Sequence, residues 1–102
     1  MHKFIILITL LVSNLSLAQN VLVTGSNRGI GYEFVSQYAE RGWSVIATSR
    51  SPHDDVELIN LAKKYSNITI EKLDVTSQED IDNLVDKLSG QSIDLLINNA
   101  GL

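Results

Sequence analysis

The stretch of this chain best equipped for chemistry is Thr24-Gly25-Ser26-Asn27-Arg28-Gly29-Ile30-Gly31. Its glycines stand where an apolar run, Val21-Leu22-Val23, gives way to a helical pattern. A diphosphate bound at such a bend needs backbone donors and close approach, which a side chain in the wrong place blocks. Gly25 would permit the tight turn, Gly29 the approach of the anion, and Gly31 the close packing of helix on strand. The unpaired N–H groups at the start of the helix, and its positive end, would then face the phosphates. The alternative is a glycine turn needed only for packing; a strand before it and a helix after it favour nucleotide binding.

Three more polar clusters follow: Thr48-Ser49-Arg50, Asp74-Val75 and Asn98-Asn99-Ala100-Gly101. Arg50 and Arg28 carry planar forks of donors that match a phosphate dianion, and Ser49 or Ser26 would add a hydroxyl. The plainer role for both arginines is a solvated loop. Asn98 and Asn99 either face a ligand or satisfy backbone groups between neighbouring strands. Chemistry of other kinds is excluded. The chain has no Cys and two His, His2 and His53, which leaves no disulfide, no cysteine nucleophile and no structural metal site. With 8 basic and 12 acidic residues the net charge is -4, which disfavours nucleic acid as a partner.

The elements that must position these clusters can be read from periodicity. Val21 to Thr24 is a short strand. A helix starting near Arg28 or Gly29 places Ile30, Phe34, Val35 and Tyr38 on its buried face, with Ala39 beside it and Gly42 ending it. Trp43 to Thr48 is a second strand, Asp54 to Tyr65 a second helix, and Ile68 to Leu73 a third strand. Either Thr76 or Ser77 caps the third helix, Thr76 forming a capping box with Glu79. Ile81, Leu84, Val85 and Leu88 mark that helix's apolar stripe, and Ile93 to Ile97 is a fourth strand. The order β-α-β-α-β-α-β implies parallel strands joined by crossovers. Every polar cluster named above then lies at the carboxyl end of a strand, where such sheets bind ligands.

The first eighteen residues read differently. Met1-His2-Lys3 is a short basic start, Phe4 to Val12 is apolar apart from Thr9, and Ser16 and Ala18 supply the small residues of a cleavage site before Gln19. Phe4 to Ala18 spans about 22 Å as a helix, less than a hydrocarbon core of about 30 Å. The expectation is a signal peptide over 1–18, hence a periplasmic or secreted product. The alternatives are an uncleaved membrane-associated N-terminus, or an extension from a misplaced start with a cytoplasmic product.

The TGxxxGIG pattern at Thr24–Gly31, Asp74-Val75 after the third strand, and Asn98-Asn99-Ala100-Gly101 after the fourth together resemble the signatures of the short-chain dehydrogenase/reductase family. The stretches VLVTGSNRGIGYEFVSQYAERGWSVIATSR and DLLINNAG are most similar to its carbonyl-reductase-like and C-factor-like subgroup. The resemblance covers residues 20 to 102. It implies a Rossmann-like three-layer αβα fold with a parallel sheet in the order 3-2-1-4, ending after the fourth strand. Residues 19–102 would form a partial NAD(P)-binding domain.

By the same resemblance, Thr24 through Gly31 would cradle the dinucleotide, with Ile30 giving a backbone contact. Asp74 would accept from the adenine amino group, and the N–H of Val75 would read the ring beside it. Asn98 would lie near the adenosine ribose, above a floor of Ala100 and Gly101. Family members that prefer NAD place a carboxylate after the second strand. This chain has Arg50 there and no carboxylate until Asp54, so NADP is the expected cofactor and NAD the lesser one.

The family transfers hydride between a nicotinamide dinucleotide and small carbonyl or alcohol substrates, using a Ser and a YxxxK pair that lie beyond the fourth strand. Here Tyr32 is followed four residues on by Ser36, Tyr38 by Gly42 and Tyr65 by Thr69. No catalytic residue is therefore assigned. The expectation is the cofactor-binding part of an oxidoreductase, inactive alone, whose fourth strand has an edge open to self-association. A non-catalytic nucleotide-binding or protein-interaction module is the alternative.

Overall fold

A computed structural model describes residues 19–100 of the chain. The leader over 1–18 and the expected floor residue Gly101 lie outside the described residues. Seven elements alternate along the rest: β1 (Asn20–Thr24), α1 (Gly29–Glu40), β2 (Ser44–Ser49), α2 (Val56–Lys64), β3 (Ile68–Lys72), α3 (Gln78–Lys87) and β4 (Leu95–Asn98).

The strands form one sheet in the order β3-β2-β1-β4, and every pairing is parallel. The chain thus steps outward from β1 to β3, then returns to lay β4 against the free side of β1. The stepping direction reverses between β1 and β4, and such a reversal is where sheets of this kind bind ligands beyond their strand ends. The register sets Thr24 beside Asn98, and Val23 beside both Ala47 and Ile97. The expected α/β architecture and strand order are those observed.

Burial explains the strand composition. Val21, Val23, Val45, Ala47 and Ile68 project to one face of the sheet. There they pack with Val35 and Ala39 of α1 and with Leu58 and Leu61 of α2. Side chains of this size contribute about 1.5–3 kcal/mol each when fully buried, enough to hold these helices on that face. The other face carries Leu22, Thr24, Leu96 and Asn98, and with α3 it lines an apolar groove of about 560 Å³. Leu96 is 57% exposed and Val85 62% exposed along this groove, so that face is only partly covered among the described residues.

The helical face expected for α1 is corrected in part by the structure: Val35 and Ala39 are buried as expected, but the face is rotated toward Gly31. Ile30 is 68% exposed, Phe34 lies at the surface and Tyr38 is only half-buried, while Gly31, Val35 and Ala39 face the sheet. The reason is steric. A Cβ added at Gly31 would stand 2.1 Å from the carbonyl oxygen of Gly25, so the first sheet-facing position of α1 admits only glycine. Small residues at i, i+4 and i+8 then form the contact, and bulkier apolar ones fall beside it.

Other boundaries shift modestly. The second strand begins at Ser44, since Trp43 lies just outside it and packs edge-on against Tyr38, with centroids 4.9 Å apart. Gly42 ends α1 as expected, with φ +87° and its N–H on the Ala39 carbonyl. The fourth strand is Leu95–Asn98, two residues later than expected at its start, because Asp94 is occupied in pairing the entry of β1. Its carboxylate accepts the Asn20 N–H at 2.7 Å, and its own N–H donates to the Asn20 carbonyl. Ser77, and not Thr76, caps α3: its hydroxyl accepts the Asp80 N–H at 3.2 Å. Thr76 is unavailable because its hydroxyl and N–H both donate to the Asp74 carboxylate.

Candidate cofactor site

The loops at the carboxyl ends of β1, β2, β3 and β4 enclose a cavity of about 540 Å³. Gly25, Asn27 and Arg28 line it from the glycine-rich turn, and Arg50 from the end of β2. Leu73, Asp74, Val75 and Thr76 line it from the end of β3, and Asn99 and Ala100 from the end of β4. Four segments far apart in sequence converge because parallel strands all end at the same side of the sheet.

The glycine-rich turn is built for close approach. Gly25 has φ +63°, and an added Cβ would meet the Ala100 backbone at 3.0 Å. Gly29 has φ +62° with nothing within 4 Å of an added Cβ, so its outer side is open to a ligand. Alone among the three helices of the described residues, α1 has neither a capping side chain nor an acidic residue in its first turn. Its first N–H groups are left to an anion.

Two cations stand at this cavity. Arg28 and Arg50 are both exposed and both line it. The Asp74 carboxyl, which lines the same cavity, is held below its ordinary value of 3.8, first by the Thr76 hydroxyl, then by the Thr76 N–H, with smaller contributions from Arg50 and Lys72. Burial opposes the shift slightly. The cavity therefore brings two cations, next to the start of α1, together with one carboxylate acceptor.

Several expected residues serve the scaffold. Ser26 is fully buried: its hydroxyl donates to the Val23 carbonyl at 2.7 Å and its N–H to the Thr48 carbonyl at 2.9 Å. It shapes the turn and leaves no hydroxyl for a ligand, which corrects the expected contact. Ser49 is likewise buried and donates to the Asp55 carboxylate. The Thr24 hydroxyl donates to the Asn98 amide oxygen at 2.8 Å and accepts the Ala100 N–H at 3.0 Å. Thr24 and Asn98 thus tie β1 to β4 and face the apolar groove instead of the cavity. Asn99 donates to the Gly25 carbonyl at 3.1 Å. For the two asparagines, the bridging role is the one these contacts carry. Ile30 is exposed and is not among the residues that line the cavity.

Leu73 and Thr76 line the cavity without having been expected as ligand contacts, and Asn99, for which both roles were open, lines it while bonding Gly25. The signal for Leu73 and Thr76 was available, since each neighbours the Asp74-Val75 pair. For Asn99 only the pairing of β4 with β1 shows which side of the sheet it occupies.

With this geometry in place, known proteins can be compared. The short chain dehydrogenase family profile matches residues 19–102. The (+)-neomenthol dehydrogenase of Capsicum annuum is 40% identical over 88 residues, covering 79% of this chain and 28% of that enzyme. Among solved structures, a carbonyl reductase from Pseudomonas aeruginosa in complex with NADP superposes with a TM-score of 0.80 at 30% identity, covering 84% of this chain and 38% of that one. The menthone neomenthol reductase from Mentha piperita gives 0.76 at 34% identity, covering 85% and 33%. The chain thus spans about a third of the length of the relatives it matches, 28% in the case of the Capsicum enzyme. A sheet in the order β3-β2-β1-β4, a glycine-lined helix start and this match place the chain in the short-chain dehydrogenase family, as its N-terminal region.

Proposed function

We propose that the chain binds NADP(H) and forms the dinucleotide half of an oxidoreductase that moves hydride between that cofactor and small carbonyl or alcohol substrates. The single observation that carries the proposal is the uncapped start of α1, opened by Gly29 and flanked by Arg28 and Arg50 around one cavity. The α1 amides with Gly29 would hold the pyrophosphate, and Arg50 with Arg28 the 2'-phosphate. Asp74 and the Val75 N–H would take the adenine. The cofactor supplies the hydride. This chain supplies binding and orientation, and is inactive by itself, since none of its tyrosines has a lysine four residues on. The NADP-bound carbonyl reductase of similar fold supports the choice of cofactor.

Titration of the purified chain with NADPH and NADH tests this. NADPH should bind tighter by about tenfold or more, as one charge-assisted contact provides. Equal affinities would remove the assigned role of the arginines.

A specific observation favours a second activity alongside the first. Strand β4 pairs only with β1 among the described residues, and Leu96 beside its open edge is more than half exposed. Self-association through this edge is therefore part of the proposal, and light scattering across a dilution series reads it. For the leader, we propose cleavage after Ala18 and export, on the basic, apolar and small-residue order of 1–18.

A further inference from the structure

Asp80 is the one buried carboxylate among the described residues, and it does not itself line the cofactor cavity. It lies in the first turn of α3, and three contacts fix it. One oxygen accepts the Asp74 N–H at 2.9 Å, the other stands 3.6 Å from the Lys72 ammonium, and its own N–H donates to Ser77.

The first of these contacts falls where the sheet stops. Strand β3 ends at Lys72, and the Leu73 N–H still reaches the Ser49 carbonyl of β2 at 2.8 Å. The Asp74 N–H is the first donor past the sheet, and only Asp80 meets it. Beyond it the Thr76 N–H goes to the Asp74 carboxylate and the Ser77 N–H to the Asp74 carbonyl. In the run from Leu73 to Ser77, the Val75 N–H alone has no acceptor among the described residues, and Val75 lines the cavity.

We propose that Asp80 is the positioning residue of the adenine subsite. By gripping the Asp74 N–H from α3, it sets the one spare donor, the Val75 N–H, beside the one outward acceptor, the Asp74 carboxylate. That donor–acceptor pair complements the N1 acceptor and amino donor of adenine. Hypoxanthine reverses both groups, presenting N1–H and a carbonyl. The inference rests on the cofactor reading above and adds the residue that gives it base selectivity. A buried carboxylate that served only to cap α3 would support affinity without supporting selectivity.

The test measures, on the full chain, the dissociation constants of NADPH and of its hypoxanthine analogue. The unaltered chain should prefer adenine by about tenfold. Asp80→Ala should bring the ratio of the two constants to near one, whereas Asp80→Asn, whose amide oxygen can still accept the Asp74 N–H, should keep most of it. Should Asp80→Ala not fold, Asp80→Glu keeps the charge, moves the oxygens by one methylene and reads the same ratio. A ratio that survives in the Ala or Glu variant, or collapses equally in the Asn variant, overturns this inference alone. Equal binding of both analogues by the unaltered chain overturns it together with the roles of Asp74 and Val75. Binding of neither overturns the cofactor reading, and this inference with it.

Discussion

Arg50 offers the sharpest perturbation of the proposed site. It is exposed at the end of β2 and lines the cavity with Arg28, so its interaction with a 2'-phosphate is partly screened by water. A hydrogen bond to a charged group contributes about 1.5–3 kcal/mol, and exposure selects the lower end. Arg50→Ala should therefore weaken NADPH by about tenfold while leaving NADH nearly unchanged. Arg50→Asp adds repulsion of the dianion and should reverse the preference. The assay is fluorescence titration of each variant with both dinucleotides, at two salt concentrations, since a charge contact weakens as salt rises. Arg28→Ala closes a double-mutant cycle. If both arginines hold one phosphate, the paired loss departs from the sum of the single losses. Equal losses for NADPH and NADH on Arg50→Ala would refute the assignment, because a group that contacts only the 2'-phosphate cannot affect a ligand lacking it.

Three further outcomes are expected. Gly31→Ala should destabilise the chain by at least about 1–3 kcal/mol, as seen for overpacked sites, because the added Cβ meets the Gly25 carbonyl at 2.1 Å; thermal melting by circular dichroism reads it. Asp74 has a lowered folded-state pKa, so its contribution to stability is present above the unfolded value of 3.8 and is lost as pH falls through the lower folded value. Thr76→Val removes the hydroxyl that is the largest cause, and the Asp74 carboxyl should titrate at higher pH by carbon NMR. For the leader, mass spectrometry of the exported product should show a chain beginning at Gln19, and a mass beginning at Met1 would refute cleavage.

The glycine-rich turn, the strand–helix alternation and the parallel sheet were legible because each has a local cause. Gly25 and Gly29 adopt positive φ, and the strands of the sheet centre are near-continuous apolar runs. What periodicity misjudged was the buried face of α1, since Gly31 carries no hydrophobic signal although it is the point of tightest contact. The capping of α3 was open for a related reason. Thr76 and Ser77 are chemically equivalent donors and acceptors, and only the position of the Asp74 carboxylate removes Thr76 from the choice.

The glycine spacing of the turn and the residue types at each strand end, Arg50 after β2 among them, are properties of the chain as written. Which polar groups remain free for a ligand is decided by tertiary structure. Thr24, Ser26 and Asn98 are spent on partners that are distant in sequence or beneath the turn, whereas Arg28, Arg50, Asp74 and Val75 face one cavity. A hydrogen-bonding group serves a ligand only when the fold has not already satisfied it, and a linear order of residues does not record who satisfies whom.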